Sequence, residues 1–167
     1  MKIRQLVVIM GLLTGPVVAQ QKTTLPGVHD YKSPDGILIG AVLSSNTSPS
    51  RYQESSIELR TTAGSVLVRA SYVSDDGTHG YTIAEATWTP DSQFFVYSLE
   101  NSGGHSPWHT PIQFYNRKLN KIFSLDDLVN DAVMSPHFQI SAPDKITVEL
   151  YFAKKRQTIT LSSLTNN

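Results

Sequence analysis

The chain contains no cysteine, no long apolar run and no surplus of charge of either sign. Without cysteine, a disulfide scaffold, a thiolate zinc site, an iron–sulfur cluster and a cysteine nucleophile are all excluded. The 14 basic and 14 acidic residues balance, which argues against nucleic-acid binding, because phosphate contacts need a basic surplus on one face. No apolar run reaches the roughly 20 residues of a transmembrane helix, so no membrane span is predicted.

The N-terminus has the layout of a secretory signal peptide. Lys2 and Arg4 precede an apolar run at residues 6–13, Gly15-Pro16 breaks it, and small residues follow up to Ala19. This pattern predicts a cleaved signal peptide at residues 1–19 and an exported protein, either periplasmic or secreted. Removal of the segment leaves 12 basic against 14 acidic residues, so the exported chain is expected to be slightly acidic.

The rest of the chain reads as short strands separated by turn residues. Residues 20–32 are predicted to be an extended N-terminal lead, and residues 33–167 a single β domain. Alternation of apolar and polar residues, bounded by Pro, Gly, Asn and Asp, is typical of half-buried strands. Strands are predicted at residues 37–43, 57–61, 66–73, 81–88, 93–99, 112–115, 121–123, 146–152 and 158–161.

One short helix is expected in this β chain. Ser124 is a candidate N-cap with the acidic Asp127 three positions on, apolar residues follow at helical spacing, and Pro136 is expected to end the helix. These elements predict an all-β fold: a single antiparallel β-sandwich or partly open barrel with one short helix. In the last predicted hairpin Phe152 points inward, and the cations of residues 154–156 lie at a solvated tip.

Two turns repeat along the sequence and resemble a known blade motif. Residues 33–36 read Ser-Pro-Asp-Gly and residues 89–92 read Thr-Pro-Asp-Ser, each followed by an apolar strand, with Trp88 ahead of the second copy. The second copy resembles the blade repeat of TolB-type β-propellers, so propeller-blade-like turns are expected. Four such blades exceed the length left after the signal peptide, so a closed propeller is not predicted.

Two further resemblances bear on function. Residues 87–96, followed by Ser102-Gly103-Gly104-His105 and Pro107-Trp108-His109, resemble a group of uncharacterised exported bacterial proteins. More weakly, the order of elements is similar to that of periplasmic inhibitors of invertebrate-type lysozyme, in which a Ser/Gly loop enters the lysozyme cleft. That similarity implies an inhibitory loop at residues 102–106, although no Tyr follows Gly103-Gly104 as in the inhibitors.

The densest chemistry of the sequence lies in one loop at residues 102–109. An indole, two imidazoles, two hydroxyls and two glycines fall within eight positions. Aromatic side chains in loops expose apolar area unless they are buried or bind a partner. Two interpretations are open: a lid over one end of the sandwich, or a recognition loop for an envelope or extracellular protein or a glycan. The candidate binding residues are Ser102, Gly103, Gly104, His105, Trp108 and His109.

An enzyme is the alternative from another functional class. A metal-dependent hydrolase would combine His79 with His105 and His109. Pro107 and Pro111 disfavour the helix that usually brings such a histidine pair to one face. The Gly-x-Ser-x-Gly nucleophile motif is also absent. The sequence therefore predicts no catalytic residue, no metal site and no cofactor.

Overall fold

The computed structural model describes residues 27–45, 53–103 and 110–165, which form eleven strands and two short helices. Their order along the chain is β1 (Val28–Lys32), β2 (Leu38–Ser44), β3 (Ser55–Thr61), β4 (Val66–Ser71), β5 (Tyr81–Trp88), β6 (Phe94–Asn101), β7 (Ile112–Asn116), β8 (Lys121–Ser124), α1 (Leu125–Val129), β9 (Gln139–Ser141), β10 (Lys145–Leu150), β11 (Lys155–Thr160) and α2 (Leu161–Leu164). The all-β prediction is confirmed.

The strands form three antiparallel sheets, each built from neighbours in sequence. The first sheet has the order β1-β2-β3-β4, the middle sheet β5-β6-β7-β8, and the third sheet β11-β10-β9. Short connections join consecutive strands because antiparallel neighbours need only a tight turn. The predicted antiparallel sandwich is therefore present, with three sheets stacked face to face.

The middle sheet is buried on both faces, and strand β6 shows this most clearly. Residues 94–99 are all buried, although successive side chains of a strand point to opposite faces. Phe95 and Tyr97 face the first sheet, whereas Phe94 and Val96 face the third. The first interface holds Leu38, Val42, Ile57, Leu59, Ala86, Trp88, Leu99 and Tyr115 with them. The second interface holds Ile112, Phe114, Leu125, Val133, Phe138, Ile146, Val148, Leu150, Ile159 and Leu161.

The outer faces of the first and third sheets carry polar side chains, so the stack formed by the described residues has three layers and no more. On the first sheet, Arg69 pairs with Glu58 and Arg60 pairs with Asp30, both at 2.7 Å. On the third sheet, the hydroxyls of Thr147 and Thr158 lie 2.8 Å apart across neighbouring strands. Because such faces stay solvated at little cost, no further sheet is needed to cover them.

The two repeated turns adopt the same hydrogen-bonded structure. The Ser33 hydroxyl donates to the Asp35 carboxylate at 2.7 Å and accepts from the Leu38 amide. The Thr89 hydroxyl donates to the Asp91 carboxylate at 2.5 Å and accepts from the Phe94 amide. The expected likeness of the two turns is thus present in their geometry. A third Pro-Asp pair, at residues 143–144, lies in the turn from β9 to β10.

Because the sheets are antiparallel, their connections gather at two ends of the stack. The turn end comprises the turns at residues 33–37, 89–93, 116–120 and 142–144. The loop end comprises the ends of the connections at residues 45, 53–54, 72–80, 102–103, 110–111 and 151–154.

Several element boundaries differ from those expected. Strand β1 occupies part of the predicted lead, because its backbone pairs with β2 from Val28 to Lys32. Helix α1 is capped by Ser124 as predicted, since its hydroxyl accepts from the Asp127 amide. The helix ends at Asn130, in the left-handed conformation, rather than at Pro136. Among the described residues, no helix has the length and hydropathy needed to span a bilayer.

The last hairpin was predicted in the wrong place. Leu150 pairs with Lys155, so the turn spans residues 151–154 and Lys155 and Arg156 lie in strand β11. Phe152 was expected to point inward, but it is 69% exposed. The inward-facing alternation of β10 ends at Leu150, because the turn begins at the next residue, so it does not extend to Phe152.

Candidate functional site

The recognition loop predicted at residues 102–109 leaves the fold from a buried position at the loop end. Ser102 is only 4% exposed, and its amide donates to the Gly80 carbonyl at 3.0 Å. Its hydroxyl lies 3.0 Å from the same carbonyl and 3.2 Å from a Glu54 carboxylate oxygen. The Gly103 amide donates to the Asn101 side chain at 2.9 Å. Ser102 therefore anchors the start of the loop inside the fold.

Glu54 is the centre of this anchor. Its side chain is fully buried, immediately before strand β3. The Ser74 amide and hydroxyl donate to its two oxygens at 2.8 and 2.6 Å, and the Gly80 amide donates at 2.5 Å. A buried carboxylate is tolerated only when its oxygens are satisfied in this way. Glu54 thus ties together the connection after β4, the start of β5 and the end of β6.

The same hydrogen bonds keep Glu54 ionised. Burial raises its pKa, but the donors of Ser74, Gly80 and Ser102 outweigh that effect and hold the pKa of Glu54 below its usual value. A carboxylate that accepts several amide and hydroxyl protons is stabilised in its charged form. The anchor therefore carries a negative charge at neutral pH.

Gly80 is required at this anchor for steric reasons. A Cβ atom at this position would lie 2.2 Å from the Tyr72 carbonyl oxygen and 2.8 Å from the Glu54 carboxyl group. Any side chain would force the strand away from Glu54. Only glycine lets the backbone approach the carboxylate closely enough to donate to it.

The connection at residues 74–80 places His79 beside this anchor. The His79 ring contacts the Asp76 carboxylate and lies 3.0 Å from the Thr78 hydroxyl. The Thr78 amide, the Ser74 hydroxyl and His79 together lower the pKa of Asp76. The His79 side chain remains 62% exposed. Asp76 and His79 therefore form a polar, accessible rim at the loop end.

The loop returns to the fold at Thr110, which is also fixed. Thr110 is 8% exposed, and its amide donates to the Val133 carbonyl at 2.7 Å. The next residue, Pro111, accepts from the Leu99 amide at 2.8 Å. Both ends of the loop are therefore held by hydrogen bonds to the surrounding strands and connections.

Four of the predicted binding residues, Gly104, His105, Trp108 and His109, lie outside the described residues. Of the other two, Ser102 is a buried anchor and Gly103 is partly exposed. In the part of the chain that the structure describes, no group of three or more His, Asp or Glu side chains is placed to hold a metal ion.

Sequence reasoning missed Glu54, the residue on which the site depends. Its donors come from residues 20 to 48 positions further along the chain. No local pattern marks such a carboxylate as buried. The only available signal was the cluster of Gly, Ser and Thr residues around positions 74–80 and 102–103, which supply backbone and hydroxyl donors.

No protein-family model, curated protein or solved structure matches this chain.

Proposed function

We propose that this protein is an exported binding module that recognises an envelope or extracellular protein, or a glycan, through residues 102–109. The observation that carries the proposal is the fixation of both loop ends. Ser102 bonds to Glu54 and Gly80, and Thr110 bonds to Val133. Fixed ends lower the entropy lost when a loop binds, so more of the contact energy appears as affinity.

The residue types of the loop support recognition of a partner. Trp108 supplies a large apolar surface with one hydrogen-bond donor, a combination enriched where proteins bind partners tightly. His105 and His109 add donors and acceptors on both sides of it. Asp76 and His79 extend the polar rim at the same end of the stack.

The enzyme alternative has less support than binding. In the part of the chain that the structure describes, no two other His, Asp or Glu side chains join His79 in a group that could hold a metal ion. The lysozyme-inhibitor alternative uses the same loop, and no contact among the described residues favours it specifically. Both therefore remain predictions of the sequence alone.

The proposal is tested by comparing three immobilised forms of the exported chain: wild type, Trp108→Ala and Leu119→Ala. Leu119 is a matched control, because it is 47% exposed and lies at the turn end. A partner from an envelope extract should bind the wild type and Leu119→Ala, and bind Trp108→Ala at least about 30-fold more weakly. Equal retention by all three forms would contradict the proposal.

A stability measurement on the same variant separates recognition from a lid. If Trp108 is an exposed anchor, Trp108→Ala should change the free energy of unfolding by less than about 0.5 kcal/mol. If Trp108 covers the end of the sandwich, the loss should be about 3–5 kcal/mol. Urea denaturation followed by circular dichroism distinguishes the two, and the larger loss would count against a recognition loop.

Residual activity of invertebrate-type, goose-type and chicken-type lysozymes in excess protein tests the inhibitor alternative. Full activity of all three enzymes would eliminate it. A melting temperature unchanged by zinc or nickel, with no stoichiometric metal after purification, would eliminate the metal-dependent hydrolase.

A further inference from the structure

The turn between β10 and β11 exposes a cluster of large apolar side chains at the loop end. Phe152 is 69% exposed, Tyr151 43% and Met134 40%. The Tyr151 and Phe152 rings form an edge-to-face pair with centroids 5.1 Å apart. Together with Glu149, Leu150 and Lys154 they line a surface depression of about 350 Å³. We call residues 151–156 the hairpin tip.

The backbone of the hairpin tip is held in place from outside the hairpin. The Asp131 carboxylate accepts from the amides of Phe152 and Ala153 at 2.9 and 3.1 Å. The Tyr151 amide donates to the Ala132 carbonyl at 2.9 Å. The turn that carries the aromatic pair is therefore held in place by hydrogen bonds to residues outside the hairpin.

Cations follow the aromatic pair directly. Lys154, Lys155 and Arg156 are all exposed. Arg156 lies opposite Glu149 in the strand register, but Lys155 lies opposite Leu150. None of the ion pairs formed among the described residues involves Lys154 or Lys155. Of the two acids beside the tip, Glu149 lies opposite Arg156, and the Asp131 carboxylate accepts from backbone amides.

We propose that the hairpin tip docks on a lipid bilayer that contains anionic phospholipids. Lys154 and Lys155 would lie among the headgroups, while Phe152 and Tyr151 enter the boundary between headgroups and acyl chains. Exposed aromatics beside basic residues fit this interface because one face is apolar and the other anionic. A soluble polyanion would need only the cations and would leave Phe152 exposed, so a bilayer accounts for more of the surface.

The position of the tip restricts how the protein meets the bilayer. Met134 and Tyr151 are joined to the end of the 102–109 loop through Val133, which bonds to Thr110 and bridges to Leu150. Asp75 and Asp76 lie in the connection between β4 and β5, outside the third sheet, and an anionic surface repels them. The protein would therefore meet the bilayer through the corner of the third sheet that carries the hairpin tip, with Asp75 and Asp76 kept away from the anionic surface.

The test is sedimentation of the exported chain with vesicles of 30% phosphatidylglycerol in phosphatidylcholine, compared with pure phosphatidylcholine. The wild type should partition onto the anionic vesicles and be released by about 0.5 M salt, because salt screens the charge attraction. Lys154→Gln with Lys155→Gln should weaken partitioning about 25-fold, or about five-fold for each cation. Phe152→Ser should weaken it about five-fold as well.

A charge-matched control is the pair Lys118→Gln and Lys121→Gln, two exposed cations, the first at the turn end and the second at the start of β8. This pair should partition like the wild type. The proposal is overturned if the wild type does not prefer anionic vesicles, or if the control pair loses as much as the tip pair. It is also overturned if Phe152→Ser has no effect, since the tip would then be a polyanion site.

Discussion

The two ends of the stack are held together by different means. At the turn end, each repeated turn is closed by its own residues: Ser33 with Asp35, and Thr89 with Asp91. At the loop end, one carboxylate, that of Glu54, accepts hydrogen bonds from two separate segments, the connection at residues 72–80 and Ser102. The turns at the turn end are thus closed by local bonds, whereas these two segments of the loop end are held by non-local bonds.

This difference matches what each end carries. The turn end supports short connections of conventional turn chemistry. The loop end supports the connections that hold His79, the candidate loop at residues 102–109 and the hairpin tip. The ends of these connections are held by groups of the surrounding framework: the Glu54 carboxylate, the Val133 carbonyl and the Asp131 carboxylate.

The largest effect should come from removing the centre of the loop end. Glu54→Ala leaves the amides of Ser74 and Gly80 buried without an acceptor, and should lower the free energy of unfolding by about 3 kcal/mol or more. Glu54→Gln keeps the shape and one acceptor oxygen, so its loss should be smaller. Urea denaturation of both variants tests this, and a loss below about 1 kcal/mol for Glu54→Ala would show that the loop end does not depend on this carboxylate.

A matched change at the turn end should cost less. Thr89 is fully buried, and its hydroxyl donates to the Asp91 carboxylate and accepts from the Phe94 amide. Thr89→Ala should lower the free energy of unfolding by about 1–2 kcal/mol. Thr89→Ser is the control, because Ser33 performs the same task in the first turn. If the serine variant loses as much as the alanine variant, the hydroxyl is not what closes the turn.

The next effect concerns coupling within the loop end. Ser102→Ala alone should cost about 1 kcal/mol, because Ser74 and Gly80 still satisfy Glu54. In a Glu54→Ala background the same change should cost less, since Ser102 no longer has the carboxylate as a partner. A double-mutant cycle measures this, with a coupling energy of about 0.5 kcal/mol or more expected. Strict additivity would mean that Ser102 is anchored by the Gly80 carbonyl alone.

The elements that sequence reasoning located are those whose signals are local. The Ser124 cap and both Pro-Asp turns depend on residues within five positions of each other. Strand β1 was not distinguished from an extended lead, because Val28–Lys32 has no clear alternation and becomes a strand through pairing with β2. The strand β9 spans only three residues, too few for any periodicity to show.

The number of sheets in the stack also depends on packing between strands that are distant in the sequence. Residues 94–97, Phe-Phe-Val-Tyr, show apolar side chains at every position, which is typical of a strand covered on both faces. The partner on each face of such a strand is fixed by long-range packing, which the run itself does not show. Glu54 is the extreme case, since its burial depends on donors from two other segments, the connection at residues 72–80 and Ser102.

The smallest effect should come from the contacts that join the two turns. Arg117 contacts the Asp35 carboxylate, and the Asp35 amide donates to the Ser92 hydroxyl at 3.0 Å. The Ser33 hydroxyl, then Arg117 and the Ile37 amide, lower the pKa of Asp35 from 3.8 to about 2. The pKa of Asp35 is lower in the folded state than in the unfolded state, so ionised Asp35 stabilises the fold at pH values above its unfolded-state pKa. This stabilisation is lost as the pH falls from about 4 to about 2.

Arg117→Ala should therefore be slightly less stable than the wild type at neutral pH, and the gap should close on acidification through that range. The titration of Glu54 is common to both proteins and cancels in the difference. Lys118→Ala is the control, since Lys118 is an exposed neighbour and should show no such pH-dependent gap. Melting temperatures measured from pH 7 to pH 2 decide the matter: a gap that stays constant would mean that Arg117 acts through its bond to the Ser92 carbonyl and not through the charge of Asp35.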